Sequence, residues 1–215
     1  MRSRLKVMAI SGVALGLVAS VFWVVSAGLP PSLKAASIMS EVIPPGSTAA
    51  PDFALPDQDG RMISLSAERG HVVALTFLNS HCTDLCPVEA EQLATAQAHL
   101  GRATPFVLLV VSVAPDLDTP ASVRSFAQSH HWTAGWHWLL GSQTQLTPVW
   151  LSYFIDARLN PTAANADNVA HSGALYLIDQ SGFERVGFGL NFPPDVIEQD
   201  IRSLAAPGWT WPWNR

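Results

Sequence analysis

Residues 72–87 read VVALTFLNSHCTDLCP, and the fold follows from how this stretch divides. Val72 to Leu78 is a nearly continuous apolar run, the pattern of a strand buried on both faces. Pro87 to Leu100 reads as a helix, with proline in its first turn and Glu89 and Glu91 near its positive end. Cys82 and Cys86 therefore lie where a buried strand gives way to a helix. In open α/β sheets, ligands bind in the crevice beyond the carboxyl ends of the strands.

Further along the chain, Phe106 to Val113 is a second buried strand. A helix is expected from Pro120 to about Ser129, capped by Asp118 or Thr119. A short strand over 136–140 and a helix over 142–153, interrupted or bent by Pro148, come next. Ala174 to Ile178 reads as a strand turning at Asp179-Gln180-Ser181-Gly182 into Phe183 to Gly187. Pro194 to Leu204 closes the order as an amphipathic helix, with Val196, Ile197, Ile201 and Leu204 on one face. Upstream, Asp52 to Leu55 and Arg61 to Leu65 flank Asp57-Gln58-Asp59-Gly60, a hairpin signal. The expected fold class is α/β: a thioredoxin-like mixed sheet with helices on both faces, preceded by an N-terminal hairpin and a transmembrane anchor.

The anchor is read from the first 29 residues. Val7 to Leu29 carries no charge and, as a helix, would be about 35 Å long, enough for a hydrocarbon core of about 30 Å. The run exceeds the apolar core of a cleaved signal peptide, although Val25-Ser26-Ala27 resembles a cleavage site. Arg2, Arg4 and Lys6 precede it, which places the N-terminus inside and the remainder outside. Gly12 and Gly16 form a GxxxG pair, a weak signal for helix pairing. The expected organisation is a basic cytoplasmic end at 1–6, an anchor at 7–29 and a proline-rich linker at 30–51. A thioredoxin-like domain follows at 52–206, then a tryptophan-rich tail at 207–215. Beyond residue 6, 9 basic and 17 acidic side chains give a formal charge of −8. Such a surface repels phosphate backbones and disfavours nucleic acid.

The two cysteines belong to the exported part, where disulfides can form and persist. Cys86, at the helix entrance, is expected to meet free backbone N–H groups that favour a thiolate. A thiolate is both the nucleophile of disulfide exchange and the soft ligand that copper(I) prefers. A purely stabilising bridge across so short a loop would contribute only about 2 kcal/mol. A structural zinc site usually takes four ligands, often as two cysteine pairs, and the sequence has one pair.

The run HCTDLCP (residues 81–87) resembles the C-x-x-x-C-P motif of the Sco/SenC family of copper proteins. Three further segments resemble that family in the same order: Val111 to Pro120 (VSVAPDLDTP), Trp138 to Gly141 (WLLG) and His171 to Asp179 (HSGALYLID). The similarity covers about residues 50–205, together with an N-terminal anchor. It implies that Cys82 and Cys86 are thiolate ligands of copper and His171 an imidazole ligand. It further implies a role in assembling the binuclear copper centre of cytochrome c oxidase, with a copper-bearing oxidase subunit as partner. The expected location is the cytoplasmic membrane, single-pass, with the soluble domain facing the periplasm or cell exterior. The chain departs from the family pattern at Ala114, where an aspartate is usual, and at Thr83, where a proline is common.

Among the remaining residues, His81 adjoins Cys82 and reads either as an exposed loop histidine or as a further group beside the metal. Asp84, between the cysteines, is expected to accept backbone hydrogen bonds or orient the loop. His71, His99, His130, His131 and His137 fit surface, strand-edge or helix-end positions. The main rival function is an extracytoplasmic thiol–disulfide oxidoreductase using Cys82 and Cys86, which would need no histidine. Against it, C-x-x-x-C is one residue longer than the thioredoxin-type C-x-x-C. A peroxiredoxin-like peroxidase is excluded, because Leu75 and Asn79 stand where those enzymes place a proline and a threonine ahead of the reactive cysteine.

Overall fold

A computed structural model describes residues 40–42, 48–101, 103–133, 135–159, 169–171, 173–189 and 192–207. For residues 40–42, 158, 159 and 169–171 it describes the backbone alone. The anchor expected at 7–29 and residues 208–215 of the tail lie outside the described residues. Among those described, no helix is long and apolar enough to cross a membrane.

The strands are β1 (Ser40–Val42), β2 (Ala54–Pro56), β3 (Met62–Ser64), β4 (Val72–Leu78), β5 (Phe106–Ser112), β6 (Trp136–Leu139), β7 (Ala157–Leu159), β8 (Val169–His171), β9 (Leu175–Ile178) and β10 (Glu184–Phe188). The helices are α1 (Leu85–Leu100), α2 (Pro120–Ser129), α3 (Gln143–Ser152) and α4 (Pro194–Ala205). Six strands form one mixed sheet in the order β1-β10-β9-β4-β5-β6. β4, β5 and β6 run parallel, joined by helical crossovers, whereas β9 is antiparallel to β4 and β10 to β9. β2–β3 and β7–β8 are separate antiparallel hairpins.

Strand β4 is buried along its whole length because both sheet faces are covered. Val72, Ala74 and Leu78 face a layer built from α1, α2 and α4, with Leu93, Val123 and Ile197 among its members. Val73, Leu75 and Phe77 face the opposite layer, where α3 and the β2–β3 hairpin contribute Leu146, Trp150 and Leu55. The period-two alternation thus divides one apolar run between two cores.

The local signals at the helix ends act as expected. Thr119 caps α2: its Oγ1 accepts from the Ser122 N–H at 3.1 Å, and Ser122 Oγ accepts from the Thr119 N–H at 2.9 Å. In the first hairpin, Asp57 Oδ1 accepts from Asp59 and Arg61 N–H groups, and Gly60 takes φ +77° to close the turn. α3 runs continuously through Pro148. Two elements were not anticipated. Ser40–Val42, within the stretch read as linker, pairs with β10, and β7–β8 form a hairpin before β9.

Candidate metal centre

At the carboxyl end of β4, the Leu78 carbonyl accepts from Val113 N–H at 3.1 Å, which holds the ends of β4 and β5 together. The chain then turns at once. Asn79 is buried and organises the turn: its carbonyl accepts from Cys82 N–H at 3.1 Å and its Oδ1 from His81 N–H at 2.9 Å. Helix α1 begins at Leu85, with Asp84 as its N-cap residue and no side-chain cap bond. This start is two residues earlier than the sequence reading placed it, so Cys86 lies inside the first turn.

The two sulfurs of this turn are unequally placed to carry charge. Cys82 is half-buried and its thiol is lowered from 9.0 to about 5. The foremost cause is a hydrogen bond from the Cys86 thiol, helped by the N–H groups of Asp84, Leu85 and Cys86 and opposed by burial. Cys86 is 1% exposed, and its thiol is pushed far up by the bond to Cys82 and by burial. The helix-start N–H groups expected to favour a thiolate at Cys86 favour it at Cys82 in the folded pair. Cys82 carries the charge, and Cys86 keeps its proton and donates it.

A carboxylate braces the loop from the side. Asp118 is buried and accepts three hydrogen bonds: from Ser80 N–H at 2.9 Å, Ser80 Oγ at 2.6 Å and Ser112 Oγ at 2.6 Å. Burial raises its pKa, and the serine hydrogen bonds oppose the rise. Ala114, at the position where the sequence departs from its family pattern, is fully buried, and its carbonyl accepts from Leu117 and Asp118 N–H groups. It thus shapes the turn that delivers Asp118. Below the thiols, Glu89 is 2% exposed, and its Oε2 has no hydrogen-bond partner among the described residues. Burial, and secondarily the Cys82 charge, raises Glu89 from 4.5 to about 7. The sequence reading treated Glu89 only as a helix-end charge. Its spacing of three from Cys86 places both on one helix face, and that was the available signal.

Thr83 and Asp84 are exposed. Three of the other histidines make local contacts: His99 Nδ1 lies 3.0 Å from Glu198, His137 Nδ1 2.9 Å from Asp57, and the His130 ring packs at a tilt against Phe126. Among the described residues no group of three His, Cys, Asp or Glu is placed to hold a metal ion. The side chain of His171 lies outside that set, while its backbone ends β8 opposite Ala157. Its place in the topology is nonetheless informative. β9 enters the sheet with Leu175 opposite Thr76, and Thr76 Oγ1 donates to the Ala174 carbonyl at 3.1 Å. Ala174 and the start of β9 therefore lie at the end of the sheet from which the cysteine loop leaves. As a donor set, two adjacent sulfurs, one already a thiolate, fit a soft monovalent ion such as copper(I).

A thioredoxin-like sheet with a polarised dithiol at the end of its central strand defines a thiol protein suited to soft-metal binding or disulfide exchange. A family model described as SCO1/SenC matches residues 43–206, and the chain belongs to that family. It is 33% identical over 135 residues to the mitochondrial protein SCO2 homolog of Bos taurus, covering 61% of this chain and 50% of that one. It is 27% identical over 158 residues to the SCO1 protein homolog of Bacillus subtilis, covering 71% of this chain and 81% of that one. The chain thus spans half the length of the bovine relative and most of the bacterial one. Among solved structures, Arabidopsis thaliana ScoI with copper bound superposes with a TM-score of 0.64 at 24% identity, covering 72% of this chain and 96% of that one. BsSco, described as a member of the Sco family of cytochrome c oxidase assembly proteins, gives 0.63 at 23% identity, covering 78% and 99%. At these identities the structural likeness establishes the fold, and structural neighbours of that fold are Sco proteins with copper bound.

Proposed function

We propose that this protein is a membrane-anchored copper chaperone that takes one copper ion on Cys82, Cys86 and His171 and helps assemble the binuclear copper centre of cytochrome c oxidase. The observation that carries this reading is the thiolate of Cys82 held beside the buried Cys86 thiol at the mouth of the sheet. Copper is the cargo, so the site must hold it firmly yet stay open on one side. Half-exposed Cys82 supplies the open side and buried Cys86 the anchored one. The entry of β9 beside the end of β4 supports His171 as the third donor. Membership of the SCO1/SenC family, and copper in its solved relatives, support the choice of metal. We further propose that 7–29 is the membrane anchor, 30–51 the linker and 52–206 the working domain, exposed outside the cytoplasmic membrane, with an oxidase copper-bearing subunit as recipient.

The test is an anaerobic copper(I) titration of the reduced full-length chain in detergent, beside Cys82→Ser and His171→Ala. One tightly bound copper per chain is expected, abolished without Cys82 and strongly weakened without His171. Binding that is absent, or equal in all three, overturns the reading. The polarised pair also favours a second role, as a thiol–disulfide reductant with Cys82 as attacking nucleophile. That role predicts turnover of a disulfide substrate with His171→Ala as active as the parent.

A further inference from the structure

Helix α3 ends in a Schellman turn whose left-handed position is held by a phenylalanine. Ile155 N–H bonds the Trp150 carbonyl at 2.8 Å, Phe154 N–H bonds the Leu151 carbonyl at 3.3 Å, and Phe154 takes φ +56°. Glycine is the usual occupant, because a Cβ there crowds the following carbonyl. The turn is held in this conformation by its neighbours. Trp150 Nε1 donates to the Ser112 carbonyl at 2.9 Å, and the Tyr153 hydroxyl donates to the Pro51 carbonyl at 2.7 Å. The Tyr153 carbonyl accepts from the Tyr176 hydroxyl at 2.8 Å, and Tyr153 and Ile155 are both buried. Phe154 is left 88% exposed, three residues after Leu151 at 69%. Its ring thus strains the backbone and buries almost nothing in its own domain, a cost that contact with an apolar phase outside the domain offsets.

The end of the sheet that carries this turn is also the end at which the N-terminal segment joins it. Ser40 pairs with Phe188, Phe188 with Leu175 and Leu175 with Thr76, two residues from the end of β4. Trp150 is tied to Ser112, the last residue of β5, and the Tyr153 ring packs on Phe77 with centroids 5.8 Å apart. Ten residues, 30–39, separate Ser40 from the uncharged run 7–29. Fully extended they span about 40 Å, so a membrane anchor at 7–29 keeps this end of the domain within that reach of the bilayer. We propose that Phe154 and Leu151 insert into the lipid headgroup boundary and rest this end of the domain on the membrane surface. The inference rests on the anchor reading above and adds an orientation to it. Attraction to lipid charge does not supply the contact, because beyond residue 6 the chain is acidic, with a formal charge of −8. Apolar insertion supplies it, as Phe and Leu do on the buried face of interfacial helices. The cysteine loop follows β4 at the same end, so the docked domain carries Cys82 on its membrane side.

The full-length chain in phosphatidylcholine nanodiscs tests this. A nitroxide is carried on a ketone-bearing phenylalanine analogue in place of Phe154 and, in a separate sample, of Ala98, so that both cysteines stay unlabelled. Ala98 is exposed near the far end of α1, opposite the cysteine loop. Power saturation compares access of lipid-soluble oxygen with access of a water-soluble nickel chelate. The oxygen-to-nickel ratio is expected to be severalfold higher at 154 than at 98. It should persist in about 1 M salt, where charge attraction is screened within about 3 Å. Equal ratios at the two positions place Phe154 in water and overturn the inference, leaving its ring free for a protein partner instead. A preference that disappears in salt overturns apolar insertion as well. Phe154→Gly should unfold in urea at the same concentration as the parent or a higher one. A lower midpoint would show that the ring serves its own domain, and the inference falls. A chain that does not travel with the discs overturns the anchor reading together with this one, while the copper titration stands apart from both.

Discussion

Three backbone N–H groups at the start of α1 converge on the sulfur of Cys82, while Cys86, four residues on, is enclosed by the core. The helix terminus stabilises one charge, and burial denies the other. Alkylation with iodoacetamide should therefore modify Cys82 alone at pH 6, with a rate midpoint near pH 5. Peptide mapping checks the site, and a denatured sample should label both cysteines at a rate that still climbs above pH 8. Preferential labelling of Cys86, or a native midpoint near 8, would contradict the assignment. The sequence put both cysteines at the junction of β4 and α1, where the structure has them, and expected the helix start to favour a thiolate at Cys86 rather than at Cys82. Which sulfur the N–H groups meet depends on the first helical residue, and Leu85, exposed and apolar, gives no boundary signal. Ser80 and Asp118 were invisible as partners for a related reason. They are 38 residues apart, and only the closed β4–β5 register brings them together.

Among the elements, α2 connects helix chemistry to the site. Its cap, Thr119, bonds reciprocally with Ser122, whose Oγ lies 2.9 Å from Ser80 Oγ. Thr119→Ala should lower stability by about 1 kcal/mol, as loss of an N-cap usually does. Urea unfolding measures it, and the midpoint should fall while the slope stays unchanged. An unmoved midpoint would mean that the cap bonds are replaced by water at no net cost. Long elements with clear periodicity were readable: β4 and β5 as buried runs, α2 from its cap and proline, β2–β3 from Asp-Gly. β1, β7 and β8 have three residues each, too few for alternation to register, and they exist because a partner strand is present. That gap matters, since β8 ends at His171, the residue proposed to complete the metal site.

For the molecule as a whole, the dithiol and Glu89 set how stability responds to pH, and they act in opposite directions. The folded Cys82 thiol sits near 5 against an ordinary 9.0, so its contribution is present at high pH and is lost as pH falls toward 5. Glu89 sits near 7 against an ordinary 4.5, so its contribution is complete below about 4.5 and is lost as pH rises through 7. Between pH 5 and 7 the folded site therefore carries one negative charge, on sulfur, while the carboxyl beneath it stays neutral. The parent's stability should change little across that window, because the two slopes cancel. Glu89→Gln keeps the shape of the neutral carboxyl and removes one slope. Relative to the parent, the variant should be nearly equal in stability at pH 5. It should gain through pH 7 and level off about 3 kcal/mol more stable at pH 8, the size expected of a buried carboxyl raised this far. Denaturant unfolding of both proteins at half-unit pH steps reads the difference directly. Parallel profiles would show that Glu89 is ionised in the folded protein at neutral pH. The buried site would then hold two negative charges, and its Coulombic fit to a monovalent cation would have to be recast around both.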